Sequence, residues 1–364
     1  MIKDSIAIIG AGNGGITAAA DLKQKGFIVS LYGNKKSEAK LSEIKKQGGV
    51  HLEDENGSNF YEIDLVTTDI EEAIKDCELI MLTVPGFAIE NIAETLAPVV
   101  LESQAILING ASTLSSLRFV KTAEKLGIKK KFLIEETNSL TYGTRAFPRE
   151  ARAELSLRVN KIFVSAYPKE NTGKLLDIAN KYYSCFVPAE NIWHTTLENG
   201  NPEVHPGPTL LNVGRIDYSK GDFYLYKEGI TEHTIKLLRA IESERIQIGK
   251  ALGFELENAS ESRYNRGYFT NNTDDLQTLF NKSPVFTQIK GPESINSRYF
   301  TEDISDGLVL WSNLGKVTKI PTPNIDSVIQ IGNTILDTNF FETGLTLEKL
   351  ELENKSTEEL IKLV

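Results

Sequence analysis

The chain has 364 residues, a formal net charge of -10, 40% apolar and 25% charged residues, so two domains are expected and a disordered or fibrous chain is excluded. The acidic balance excludes nucleic acid and an anionic membrane as partners unless a local basic patch reverses it. Two cysteines, Cys77 and Cys185, cannot make a disulfide framework, no Cys/His cluster has metal spacing and no stretch reaches the ~20 apolar residues of a membrane helix, so a cytoplasmic protein without a metal is expected.

The first predicted element is a buried strand over residues 6–9, a short apolar run that stops at Gly10 and is too brief for an export signal. A helix over 16–25 follows, ending at Gly26. Between them lies Gly10-Ala11-Gly12-Asn13-Gly14-Gly15, which satisfies G-x-G-x-x-G through Gly10, Gly12 and Gly15. Alone this pattern is weak. Placed directly after a strand and at the start of a helix, it gives the glycines physical tasks: a tight turn, backbone approach to a pyrophosphate, and close packing of helix on strand. The helix N-terminus would hold the diphosphate of a dinucleotide. A glycine-rich turn without ligand is the bland alternative.

The next strand, over 27–32, ends in Tyr32-Gly33-Asn34-Lys35-Lys36, and the first acid after it is Glu38. An NAD site normally has Asp or Glu there for the ribose 2′-OH. Asn34, Lys35 and Lys36 instead suit a 2′-phosphate, so NADP(H) is the expected cofactor with NAD(H) open to it; a solvated charge run before a polar helix over 37–46 would look the same. Asn56-Gly57 inside 51–63 marks a hairpin. Buried runs at 79–84, 105–108 and 132–134 alternate with helical stretches, and a last strand-helix pair spans 162–183. That alternation implies a parallel, doubly wound α/β sheet with helices on both faces. Thr83-Val84-Pro85 closes one of these strands at its carboxyl end, where it would border the nicotinamide or simply terminate the strand.

Beyond about residue 190 the periods are helical, clearest over 231–252, where Ile235, Leu238, Ile241, Ile248 and Leu252 share a face while Lys236, Arg239, Glu242 and Glu244 lie elsewhere. The expected domains are therefore 1–187 and 188–364, with the tail from Leu345 as a terminal helix. The segment Asn201-Pro202-Glu203-Val204-His205-Pro206-Gly207-Pro208 is stiffened by its prolines, which push each preceding residue toward extended backbone. A histidine held still suits a general acid/base; a histidine satisfying a carbonyl in a capped loop would look the same. His205 is the strongest of the four histidines; His51 falls in the hairpin, His194 beside Trp193 reads as packing, and His233 lies early in the long helix. In Arg298-Tyr299-Phe300-Thr301-Glu302-Asp303 a carboxylate could orient an imidazole and an arginine could grip a substrate carboxylate, although the cluster also reads as an ordinary helix start.

The glycine loop, the run from Asn201-Pro202 to Leu211-Asn212-Val213-Gly214-Arg215-Ile216-Asp217, the helix carrying Glu242-Ser243-Glu244-Arg245, and Arg298-Tyr299 to Glu302-Asp303-Ile304 together resemble the octopine/nopaline dehydrogenase family, in order along nearly the whole chain. The resemblance implies a Rossmann-type domain followed by an all-α domain, and NAD(P)H-dependent reductive condensation of an amino acid with an α-keto acid such as pyruvate. It places the catalytic histidine at His205, its paired aspartate at Asp303 and the keto-acid arginine at Arg298; Asn201, which opens the proline-rich segment, is expected as a further substrate contact. A homodimer is the expected assembly. Two rivals stand beside this reading: a ketopantoate reductase or glycerol-3-phosphate dehydrogenase type, expected to depend on a lysine, and a non-catalytic NADP-binding sensor.

Overall fold

Apolar runs that offer no polar face to water must bury both sides, and in the computed structural model, which describes residues 4–364, those of the first half do so as adjacent strands. The strands are β1 (Ser5–Ile9), β2 (Ile28–Tyr32), β3 (Gly49–Asp54), β4 (Gly57–Glu62), β5 (Leu65–Thr67), β6 (Leu79–Leu82), β7 (Ala105–Ile108), β8 (Leu133–Thr137), β9 (Tyr142–Phe147), β10 (Arg152–Arg158), β11 (Ile162–Ala166) and β12 (Phe186–Pro188). Eight form one sheet in the order β12-β11-β8-β7-β6-β1-β2-β5. From β8 to β5 every neighbour is parallel, with Ile8 opposite Met81, Met81 opposite Leu107 and Leu107 opposite Glu135. The sheet departs from the expected parallel pattern at one edge, where β11 runs antiparallel to β8.

A second departure is a four-stranded sheet, β4-β3-β10-β9. The expected hairpin is its β3–β4 ribbon, with Asp54 opposite Gly57. β9 and β10 join it from far along the chain, β10 lying parallel to β3. Helices cover both faces of the parallel sheet as expected, and the second sheet adds a further layer outside one of them: the helix after the glycine loop (Asn13–Gln24) packs against both β1–β2 and this second sheet. Its residues from Gly14 to Leu22 are all buried, and the run of Ala18, Ala19 and Ala20 keeps it thin enough to fit. Asp21 has no exposure within this layer, and its carboxylate accepts from the Tyr142 hydroxyl at 2.7 Å and Arg158 Nε at 2.8 Å. Removing either partner would leave a buried charge underpaired, which is why the helix and the second sheet hold one register.

The described residues divide into two units between Thr195 and Thr196; the division expected at 187/188 falls in β12. The second unit contains helices and no strand among its described residues. Its aromatic core includes Phe223, Tyr226, Phe269, Phe280 and Phe286. The longest helix, Glu232–Ala251, buries Leu238, Ile241 and Ile248 as its period predicts. It also buries Glu242, Glu244 and Arg245, which the reading as an amphipathic surface helix did not anticipate. Their burial is compensated by partners: Glu244 accepts from the backbone N–H groups of Asn324 and Ile325, each at 2.9 Å, capping the helix Pro323–Ile335 with a carboxylate where its N–H groups are free. The tail from Leu345 turns without regular structure until the helix Thr357–Lys362, started by a Ser356/Glu359 capping box, so the expected terminal helix is shorter than its composition suggested. No helix among the described residues is long and apolar enough to cross a membrane.

Candidate active site

In the first unit the glycine loop fits a dinucleotide by what a side chain would meet at each position. Gly10 has φ +129°, a backbone conformation that L side chains rarely adopt. A Cβ on Gly15 would stand 1.8 Å from the Gly10 carbonyl oxygen, so only glycine lets the helix start this close to the strand. A Cβ on Gly12 would meet nothing within 4 Å. Gly12 is therefore not kept small by the protein, and open space beside it is what an approaching pyrophosphate requires. A Cβ on Gly14 would press on the Leu140 side chain at 2.8 Å, and the Asn13 side-chain oxygen accepts from Ala146 N–H at 3.0 Å.

At the end of β2, Lys35 and Lys36 lie exposed in a single 3₁₀ turn, Lys35–Ser37. Asn34 uses its side-chain oxygen to accept from Ser37 N–H and Oγ, both at 3.1 Å, so it shapes this turn. Thr83 donates to the carbonyls of Ile9 and Gly10 at 3.3 Å and braces the glycine turn from below. Val84 packs partly buried against the apolar core, and Pro85 leads in extended backbone into the turn Gly86–Ala88.

In the second unit His205 sits at the joint between two short helices, Asn201–Val204 and Pro206–Leu211. Its backbone, φ -93° and ψ -55°, is helical, which corrects the expectation of an extended residue before proline. Pro202 and Pro206 occupy starting turns of helices, where no N–H is needed and the fixed φ is already helical. The outcome for the imidazole is the same, a ring on a stiff backbone. Asn201 is exposed, and its carbonyl accepts from His205 N–H at 2.9 Å. Glu203, with no exposure, accepts from Arg245 at 3.0 Å and Arg263 at 3.3 Å, which locks the helix that leads into His205.

The structure joins His205 to Asp303 across the sequence, with Nδ1 and Oδ2 2.8 Å apart. Burial raises the Asp303 carboxyl above its ordinary range, and the adjacent His205 opposes that rise. With the carboxylate accepting from Nδ1–H, Nε2 keeps its lone pair. That lone pair accepts from the Tyr226 hydroxyl at 2.9 Å. The ring of Tyr299 stacks on the imidazole at 4.1 Å between centroids and 11° between planes. Asp303 opens a π-helical turn, Asp303–Leu308, directly after the helix Arg298–Glu302, so Arg298, Tyr299 and Asp303 share one continuous segment. Arg298 is exposed at the start of that helix and pairs with Glu302. Tyr226 and Tyr299 were assigned no role from the sequence, and no spacing would have linked them to His205. Among the described residues no cluster of three or more His, Cys, Asp or Glu side chains could hold a metal ion.

Residues 188–336 match the family model for the α-helical domain of NAD/NADP octopine/nopaline dehydrogenase, and residues 5–128 match that for the N-terminus of NAD-dependent glycerol-3-phosphate dehydrogenase. An opine dehydrogenase of Arthrobacter sp. (strain 1C) is 33% identical over 346 residues, covering 95% of this chain and 94% of its own length. The chain belongs to the octopine/nopaline dehydrogenase family. Solved structures agree on the fold: octopine dehydrogenase with NADH and L-arginine has a TM-score of 0.73 at 16% identity, covering 98% of this chain and 97% of that one. Yersinopine dehydrogenase with NADP+ bound has a TM-score of 0.72 at 15% identity, covering 100% and 98%. This octopine/nopaline dehydrogenase family member is thus an NAD(P)-dependent oxidoreductase of the opine dehydrogenase type, acting on CH–NH donors. The glycerol-phosphate rival keeps only the shared dinucleotide domain, because the helical half matches the opine family.

Proposed function

We propose that the enzyme condenses an L-amino acid with an α-keto acid, pyruvate being the expected one, and reduces the resulting imine with NADPH in preference to NADH. The observation that carries this reading is the His205–Asp303 pair at 2.8 Å, a buried imidazole with a half-buried orienting carboxylate, in a chain whose relative is an opine dehydrogenase. An ammonium group is not a nucleophile, so His205 accepts its proton before the amine attacks the keto carbon. Asp303 holds the ring by Nδ1 and stabilises the imidazolium that results. His205 then returns a proton to the carbinolamine hydroxyl, which leaves as water. Arg298 exchanges Glu302 for the keto-acid carboxylate, a bidentate partner for its planar fork, and Asn201 lies one helix turn before His205 for a further polar contact.

The turn around Gly12 and the helix N-terminus behind it would hold the diphosphate, and Lys35 and Lys36 a 2′-phosphate. When bound, the nicotinamide supplies the hydride that reduces the C=N bond. The buried free thiols of Cys77 and Cys185 suit a reducing compartment, which supports a cytoplasmic location, and a homodimer is the assembly to look for by light scattering.

The test is a spectrophotometric panel of NADPH or NADH with pyruvate and each amino acid in turn. Cofactor oxidation is expected only when amine and keto acid are both present, and faster with NADPH; oxidation by pyruvate alone would replace this reading with a hydroxy-acid dehydrogenase. His205→Ala should lose most turnover while still binding NADPH.

A further inference from the structure

In the proposed reaction His205 passes through a charged state where water is scarce. The imidazole is buried, and an imidazolium there costs free energy unless a neighbour favours it. Asp303 is one such neighbour, yet burial raises its own carboxyl, so it is a reluctant counter-ion. Its single hydrogen bond to Nδ1 also leaves the ring free to turn about that line, because χ2 of histidine has no sharp minimum. The plane of the ring must be fixed by something else.

The ring of Tyr299 lies flat on the imidazole, with 4.1 Å between centroids and 11° between planes. It comes from the same continuous segment as Asp303, four residues earlier, so the bond to the ring edge and the stack on the ring face are set together. That segment is held on both sides of the histidine: the helix Arg298–Glu302 packs against Pro206–Leu211, and the π-helical turn Asp303–Leu308 packs against Asn201–Val204. Phe300, with no exposure, anchors it. An aliphatic side chain would also cover the ring, but only an aromatic face turns negative charge density toward a cation within about 6 Å of its centroid. The face does this without a second carboxylate, whose like charge would raise Asp303 further.

We propose that Tyr299 is a positioning residue for His205: its ring fixes the plane of the imidazole, and its face stabilises the imidazolium that forms when the ammonium proton is taken. The inference rests on His205 being the acid/base. Tyr299 itself exchanges no proton and needs no contact with substrate. The other groups around the imidazole are accounted for. The Tyr226 hydroxyl at Nε2 can donate to the neutral ring and, turned round, accept from the charged one, so it favours neither form by itself. Glu203 is bonded to Arg245 and Arg263, Arg298 to Glu302, Glu242 to Arg239, and Arg215 to Glu228. Glu244 caps the helix Pro323–Ile335, and Asp306 shares the π-helical turn with Asp303. All of them are present in every variant compared below, so a shift between variants belongs to the ring at 299.

The experiment follows two titrations of the full-length enzyme in the parent, Tyr299→Phe and Tyr299→Leu. One is the imidazole Cε1–H signal of His205 by NMR, picked out from the four histidines by its loss in His205→Ala. The other is the acid limb of kcat/KM for the amino acid chosen by the panel. Tyr299→Leu removes the face that favours the charged ring, so the ring should give up its proton at lower pH. Both midpoints are expected to fall by about 0.4 to 1.5 pH units, and kcat should fall as the base weakens. Tyr299→Phe keeps the face and should titrate with the parent. An unmoved NMR midpoint in a folded Tyr299→Leu enzyme overturns the proposal whatever happens to kcat, because a merely structural contact lowers turnover without moving the titration. Should circular dichroism show Tyr299→Leu unfolded, the same two midpoints for Tyr299→Met decide. An NMR midpoint that falls while the acid limb of kcat/KM stays in place keeps the stack and sinks the acid/base reading of His205 beneath it.

Discussion

Asp303 stands half-buried on the segment that also carries Tyr299, and its ionised state depends on the imidazole beside it. Asp303→Asn should therefore keep the fold and the size of the side chain while removing the charge that fixes Nδ1–H. A neutral amide can face either tautomer, and in an acid/base dyad of this kind the loss of tautomer control costs up to about 10⁴ in kcat. The expected result is a kcat lowered by roughly 10²- to 10⁴-fold with NADPH affinity unchanged, measured by steady-state kinetics and fluorescence titration. The two partners stand 98 residues apart, so no local pattern could pair them. Resemblance to a family supplied that pairing, and the distance now supports it. The residues that no pattern reached are those whose role depends only on tertiary contact. Tyr226 and Tyr299 look like core and surface tyrosines in sequence, and Glu242 and Glu244 look like the wet face of a helix until their capped neighbours are seen. His205 precedes a proline yet is helical, because a proline at the first turn of a helix is helix-compatible in a way that the residue before an isolated proline is not.

At the scale of elements, the strand, glycine turn and helix at the start of the chain were legible because each signal is local: an apolar run, a spacing of glycines, a helical period. β9 and β10 were not, because what makes them strands is pairing with each other and, for β10, with β3 a hundred or so residues back, and their half-exposed patterns mix Arg, Glu and Thr with few apolar residues. Within the glycine turn the structure separates two kinds of constraint that the motif lumps together. Gly15→Ala drives a methyl into the Gly10 carbonyl, and it should lower the thermal midpoint of unfolding markedly, consistent with the several kcal/mol that a core overlap can cost. Gly12→Ala meets no protein atom and has an extended backbone that alanine accepts. It should leave the thermal midpoint of the free enzyme nearly unchanged and weaken NADPH binding, read by differential scanning fluorimetry with and without NADPH. Equal destabilisation by both substitutions would show that Gly12 serves packing and that no ligand approaches there.

For the molecule as a whole, the parallel sheet of the first unit carries two carboxyl groups in its middle. Glu135 and Glu136 are adjacent in β8, point to opposite faces and have no exposure. Glu136 accepts from Ser116 N–H at 2.7 Å and Ser116 Oγ at 2.6 Å, and burial raises it to about 7 despite those bonds and nearby Arg118. Glu135 lacks such relief, and burial alone pushes it up to about 8. Both groups hold a proton in the folded state over a range where the unfolded chain, titrating near 4.5, has lost it. The unfolded state then binds fewer protons than the native one, so stability falls as pH rises. The fall begins near 4.5 and ends near 7 for Glu136 and near 8 for Glu135, with a slope of up to about 1.4 kcal/mol per pH unit for each group. Urea denaturation of the free enzyme at several values between pH 5 and 9 should show this decline across the range. Glu135→Gln keeps the shape, never ionises, and should remove one group's share of the slope, making the variant more stable than the parent at pH 9 and about equal to it at pH 5. A variant whose stability tracks the parent at every pH would mean that Glu135 finds a charged form inside the sheet, and the buried carboxyl would then need a partner on the Met81 face of β8 to explain how.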